Sequence, residues 1–204
     1  MFLYFLLFGL PPGTRGCLLF VWCMLLILQL DSFGSSFIPV YSCQVRAFLT
    51  DSSFIRPRHI ANSLWSFSQL QILEASLLDL ISSVALDHME SFEPQSLASS
   101  AWALTKLNLS HPELWFALSR RCEESMFDFD ARGLSNTAWT CATMRRHDVP
   151  LLEALSAATV PKLAEFDEQA LSTTMWASAK LMFQNKILID AMVLEILDRN
   201  ANLH

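Results

Sequence analysis

Glycine is scarce, with five in 204 residues. That excludes a Gly-rich phosphate-binding fold and a turn-rich β protein, both of which depend on backbone that glycine adopts most readily. The composition leans α-helical. Charge is also sparse, at 17% against 52% apolar residues, so the chain is not disordered and is greasier than an average soluble domain. Basic excess is missing: a net charge of −6 and a pI near 5.3 argue against a simple basic nucleic-acid surface. A local basic stripe is still compatible with that sum. The five cysteines, Cys17, Cys23, Cys43, Cys122 and Cys141, are odd in number and contain no C-x-x-C pair. They signal neither a zinc site nor a disulfide framework.

Charge is most uneven at the start. Residues 1–30 hold one charge, Arg15, and divide at Pro11, Pro12 and Gly13 into two apolar runs. The longer, Cys17–Leu30, is fourteen residues, short of the roughly 20 that a spanning helix needs. An n-region without Lys or Arg is awkward for a secretory leader, and uniform apolarity is worse for a mitochondrial transit peptide. Three readings stand: a leader or membrane anchor, a packed helix, or a mis-predicted start. Residues 31–54 are Ser-rich and read as a linker.

The remainder repeats. Trp65, Trp102, Trp139 and Trp176 are each 37 residues apart. Other columns keep the same register. Ile55, Phe92, Phe129 and Phe166 stand ten before each Trp; Ile60, Leu97, Leu134 and Leu171 stand five before. Leu70, Leu107, Met144 and Leu181 stand five after; Leu77, Leu114, Leu151 and Leu188 stand twelve after. A fixed period of this length means stacked supersecondary units. Four units, 55–91, 92–128, 129–165 and 166–202, are expected within a helical-repeat domain over 55–204. The last lacks a polar capping helix, so a partner covering that end or a longer array is expected.

Each unit reads as two helices. Pro57 and Pro94 suit the first turn of helix A, and Glu93, Asp130, Asp167 and Glu168 match its dipole. Leu134, Ala138 and Cys141, beside Ser135, Trp139 and Ala142, make one apolar face at helical spacing. Helix B starts near Pro112 or Pro150, and Pro161 frays its end in the third unit. The fold expected is an all-α, right-handed α-solenoid of four helix-turn-helix repeats.

Helix A also has a polar stripe, read at seven before, three before, one after and four after each Trp. The first unit supplies Arg58, Asn62, Ser66 and Gln69, and the second Gln95, Ser99, Ala103 and Lys106. The third supplies Arg132, Asn136, Thr140 and Thr143, and the fourth Gln169, Thr173, Ala177 and Lys180. Every charge in it is basic. The A segments carry five basic and four acidic residues, whereas the rest of 55–204 carries seven basic and fourteen acidic. One polar set per repeat is the geometry by which helical-repeat proteins read single-stranded RNA one base at a time. Such side chains hydrogen-bond base edges or meet phosphate. A solvated helix face and a protein-binding face fit the same pattern. On this reading no aromatic residue sits in the stripe, so stacking platforms are missing.

The segments SLASSAWALTKLNL (96–109), GLSNTAWTCATM (133–144) and ALSTTMWASAKLM (170–182) resemble the octotricopeptide-type repeat family. Its units are of about this length and carry an L-x-N-x-x-W-A-x-A-K-L core. Related arrays precede RAP domains or occur in FAST-kinase-like proteins and in RNA-editing substrate-binding complex proteins of kinetoplastids. The resemblance spans about 55–204, and the first unit departs from it with Leu64 and Ser66. It implies organellar RNA binding for RNA processing, stability, editing or translation, in a mitochondrion or plastid. The partners implied are single-stranded RNA and other subunits of an RNA-processing complex. A membrane enters only where residues 1–30 are retained, by anchoring or a secretory route.

Catalytic patterns fail. There is no G-x-S-x-G, H-E-x-x-H, P-loop or G-x-G-x-x-G. His59, His88, His111, His147 and His204 fall in different columns and read as surface or cap residues. Glu123/Glu124 and Asp128/Asp130 read as solvated or dipole-matching charge, and Cys141 as inert packed core. Asn108-Leu109-Ser110 fits a glycosylation sequon. Arg120-Arg121 and Arg145-Arg146 are the basic doublets. The expectation is a non-enzymatic, sequence-selective single-stranded-RNA binder without cofactor or metal. Its RNA-binding residues would be Arg58, Asn62, Gln69, Gln95, Ser99, Lys106, Arg132, Asn136, Thr143, Gln169, Thr173 and Lys180. The alternative is a protein-interaction scaffold on the same face.

Overall fold

The computed structural model describes residues 55–71, 73–109 and 111–201. The expected apolar leader or anchor (1–30), the linker (31–54), Leu203 and His204 lie outside them. Among the described residues there are eight α-helices, short 3-10 segments and no strand. The helices are α1 Pro57–Leu70, α2 Ala75–Asp87, α3 Pro94–Lys106, α4 Pro112–Ser125, α5 Ala131–Thr143, α6 Val149–Thr159, α7 Glu168–Lys180 and α8 Lys186–Ala201. The odd-numbered helices pack side by side in chain order, and the even-numbered helices form a second layer behind them. This all-helical, two-layered arrangement is consistent with an α-solenoid.

Proline and aspartate set where these helices begin. Pro57, Pro94 and Pro112 occupy the first turn, where a missing N–H costs nothing. Asp130 and Asp167 each accept a 2.7 Å bond from the backbone N–H of Gly133 and Ala170, capping α5 and α7 at their positive ends. Pro161 ends the α-helical geometry of α6, which passes into a 3-10 turn over Val160–Glu165.

The core lies between the layers. Phe92, Phe129 and Phe166 are at most 2% exposed, as are Leu77, Leu114, Leu151 and Leu188. Burying each such side chain contributes about 1.5–3 kcal/mol relative to leaving it in water. The odd helices approach one another more closely than the even ones do. Small buried residues permit this: Ala61, Ala98 and Ser135 four before the first three Trp, and Ser66, Ala103, Thr140 and Ala177 one after all four.

Two cations tie the ends of even helices back to the core. Lys162 Nζ donates to the carbonyls of Phe127 and Phe129, each at 2.6 Å. Arg199, held by Glu195 at 2.7 Å, donates to the carbonyls of Phe166 and Leu163 at 2.7 and 3.0 Å. The outward side of α8 is unlike the earlier even helices. Ile189 and Val193 are 37% and 40% exposed, whereas Leu78, Trp115 and Leu152, in the column of Ile189, are buried.

Candidate nucleic-acid interface

The exposed stripe of the odd helices differs from the expected one in a single column. Residues seven before the Trp (Arg58, Gln95, Arg132, Gln169) and four after it (Gln69, Lys106, Thr143, Lys180) are exposed. Residues three before it (Asn62, Ser99, Asn136, Thr173) are half-buried. All twelve expected RNA-binding residues therefore reach the surface of the odd-helix layer. The column one after the Trp does not. Ser66, Ala103 and Thr140 are 0% exposed and Ala177 1%, within the packing between neighbouring helices.

Tryptophan takes the vacated place. Trp65, Trp102 and Trp139 are half-buried and Trp176 is 44% exposed. The cause is angular. At about 100° per residue, the columns at −7, +4 and −3 fall roughly 20°, 40° and 60° from the Trp, while +1 falls about 100° away. The Trp belongs to the polar stripe, and the expectation of a stripe without aromatic platforms is corrected. The spacing i, i+4, i+7, i+11, with Trp third, was the available signal.

Two of the tryptophans touch each other and two carry a lysine. The Trp102 and Trp139 rings are 6.1 Å apart, centroid to centroid, and tilted by 35°. Lys106 Nζ lies 5.5 Å from the centroid of Trp102, and Lys180 Nζ 4.5 Å from that of Trp176, within cation–π range. Among the described residues Arg58 and Arg132 make no ion pair and no side-chain hydrogen bond. Both sit at the second position of their helices, where the dipole disfavours a cation by about 0.3–1 kcal/mol. No acidic residue occupies the stripe.

Several of the other candidates are engaged structurally. Arg120 and Arg121 pair with Glu124 at 3.1 and 3.6 Å, and the Arg146 guanidinium lies 5.3 Å from the centroid of Trp115. His111 caps α4 by accepting from Leu114 N–H at 3.2 Å. His59 Nδ1 accepts from Arg56 N–H at 3.3 Å. Burial, then the charges of Arg58 and Arg56, hold the His59 pKa below the ordinary histidine value. Cys141 is fully buried, and burial is the main cause pushing its thiol up to about 12. Burial also pushes the Cys122 thiol up. Neither is a nucleophile at neutral pH. Among the described residues no three His, Cys, Asp or Glu side chains cluster to hold a metal, and no helix is long and apolar enough to cross a membrane. Ser110 of the sequon lies outside the described residues.

The match to known families assigns the family of the chain. Residues 47–203 match the family described as RNA-editing substrate-binding complex 6 protein. The chain belongs to that family. This supports the RNA-editing part of the resemblance noted from the Trp–Ala segments. A search of curated proteins finds no match. The matched span takes in every odd helix and thus the whole Trp stripe.

Proposed function

We propose that the protein is a non-enzymatic subunit of an RNA-editing complex that binds single-stranded RNA along its odd helices. On this reading the chain is a solenoid of four 37-residue units of the octotricopeptide type, 55–91, 92–128, 129–165 and 166–202. Its odd-helix layer, the more closely packed one, lines the inner curve. The location that fits an RNA-editing complex is the mitochondrion.

The observation that carries the proposal is the composite stripe, with four tryptophans at helical register beside Arg58, Lys106, Arg132 and Lys180. Base–aromatic stacking supplies about 1–3 kcal/mol per base, and the cations meet phosphate. Four units reading one base each cover about four nucleotides, so modest affinity is expected from the chain alone. A solvated helix face needs neither half-exposed tryptophans nor unpaired arginines set against the helix dipole. A protein scaffold draws instead on the exposed aliphatics of α8.

Fluorescence anisotropy of the 204-residue chain against a pooled short single-stranded RNA library, at two salt concentrations, tests this. Binding that weakens steeply with salt and disappears in the variant with Arg58, Lys106, Arg132 and Lys180 all changed to Ala is the expected result. A salt-insensitive contact, or none from a helical sample at low salt, refutes it.

A further inference from the structure

The stripe alternates. Seven before the Trp the residues run Arg58, Gln95, Arg132, Gln169; three before, Asn62, Ser99, Asn136, Thr173; four after, Gln69, Lys106, Thr143, Lys180. In all three columns α1 resembles α5 and α3 resembles α7. One kind of helix carries Arg and Asn toward its N-terminal end and no cation at the other end. The second kind carries Gln and a hydroxyl there, with Lys in its last turn.

This alternation has a geometric consequence. Eleven residues of helix separate the two cation positions, about 16 Å along the axis. Each even helix returns the chain, so the odd helices run in the same direction and their like ends share a rim. Cations therefore occupy one rim at α1 and α5 and the other at α3 and α7. With neighbouring helices about 8–10 Å apart, like cations on one rim stand about 16–20 Å apart.

The two kinds of helix also offer different chemistry. Lys106 and Lys180 rest over their own tryptophans, which makes a combined cationic and stacking platform tolerant of any base. The Asn62 and Asn136 side chains make no hydrogen bond among the described residues and are half-buried, so donor and acceptor remain available. Asn pairs bidentately with the N6/N7 edge of adenine, and Arg one turn away with O6/N7 of guanine. Ser99 and Thr173 offer a single oxygen at that position rather than two in-plane atoms, and the amides of Gln95 and Gln169 sit on longer, exposed side chains that lose more rotamer freedom on pairing than the half-buried asparagines.

We infer that recognition on this face has a period of two helices. Asn62 with Arg58 on α1, and Asn136 with Arg132 on α5, select a purine. The Lys–Trp platforms of α3 and α7 hold the intervening nucleotides without selecting them. The inference rests on the RNA-binding reading above and adds the class of sequence bound, a purine at every second position.

The test uses the 204-residue chain and three labelled octamers, r(A)8, r(U)8 and the alternating r(AU)4, by anisotropy at low salt. The expected result is r(AU)4 bound within about threefold of r(A)8, and both at least about tenfold more tightly than r(U)8. Asn62→Ala with Asn136→Ala should erase the r(AU)4 preference over r(U)8. Lys106→Gln with Lys180→Gln should weaken all three octamers by a similar factor and leave the preference standing. These sites are at the surface, and circular dichroism confirms that each variant stays helical. Equal binding of r(AU)4 and r(U)8 overturns the inference while leaving RNA binding intact. So does loss of the preference in the lysine variant. No binding of any octamer overturns the RNA-binding reading and this inference with it.

Discussion

Thr140→Val should stabilise the protein, and the reason lies in the column that the stripe lost. Thr140 is 0% exposed and its hydroxyl has no hydrogen-bond partner. At the same column Ser66 is equally buried but donates to the Asn62 carbonyl at 2.8 Å. An unsatisfied buried hydroxyl costs about 1–3 kcal/mol. Valine has nearly the same shape and the same branching at Cβ, so it removes that cost and leaves the packing between α3, α5 and α7 undisturbed. A gain of about 1 kcal/mol is expected once imperfect fit is allowed for. For a domain of this size that is about 2–4 °C in Tm. Urea unfolding followed by circular dichroism gives the change, with the m-value unchanged as evidence that only stability moved. Ser66→Ala, whose hydroxyl is already bonded, should show no gain. A Thr140→Val variant that is no more stable than the parent, or less stable, refutes the assignment of this column to a dry helix–helix contact.

Met182 has a φ of 49°, a left-handed conformation costly for any residue with a Cβ, so Met182→Gly should raise stability by about 0.5–1 kcal/mol in the same urea assay. Asn108→Val, at φ 50° in the same column, should lower it. His59 gives a pH dependence: its folded pKa lies below the unfolded value, so its contribution is fully present above about pH 6.5 and is lost as pH falls through that value toward the folded pKa. His59→Gln should flatten that part of a stability–pH profile measured between pH 8 and pH 5. Alkylation of the native protein with iodoacetamide at pH 8, followed by peptide mapping, should leave Cys122 and Cys141 unlabelled until denaturant is added. Labelling of either in the folded protein would contradict the burial that raises both thiols. Arg199→Met removes the donors to the Phe166 and Leu163 carbonyls and should cost about 1 kcal/mol, a figure kept low because the side chain is 31% exposed.

The helices were legible because burial writes itself into the sequence as periodicity. Each column at −10, −5 and +12 from a Trp faces the same neighbours in every pair, so each must be filled by a residue of similar size, and that requirement appears as Phe, Leu and Leu in register. The backbone of the turns was not legible. Gln71, Asn108, Arg145 and Met182 all hold φ near 50° at the ends of the odd helices, where glycine is the usual signal. Phe183, Leu109 and Arg146 N–H groups close those ends onto the carbonyls of Ser178, Leu104 and Cys141 at 2.9–3.0 Å. That closure satisfies orphan carbonyls and offsets the backbone cost, so no glycine need appear.

The cations at Lys162 and Arg199 were illegible for another reason. Their partners are backbone carbonyls some 33 residues back, and a carbonyl leaves no trace in residue type. The stripe lay between these extremes. Its polar columns were readable, yet small residues and tryptophan exchanged roles: Ala103 and Ala177 are buried because helices must approach closely there, and the tryptophans stay half-exposed because a large ring cannot enter that gap. Hydrophobicity alone assigns Trp to the core and Ser or Thr to water, whereas the space between closely packed helices is decided by size. In this layer size wins, and the tryptophans are left at the surface, two of them beside lysines.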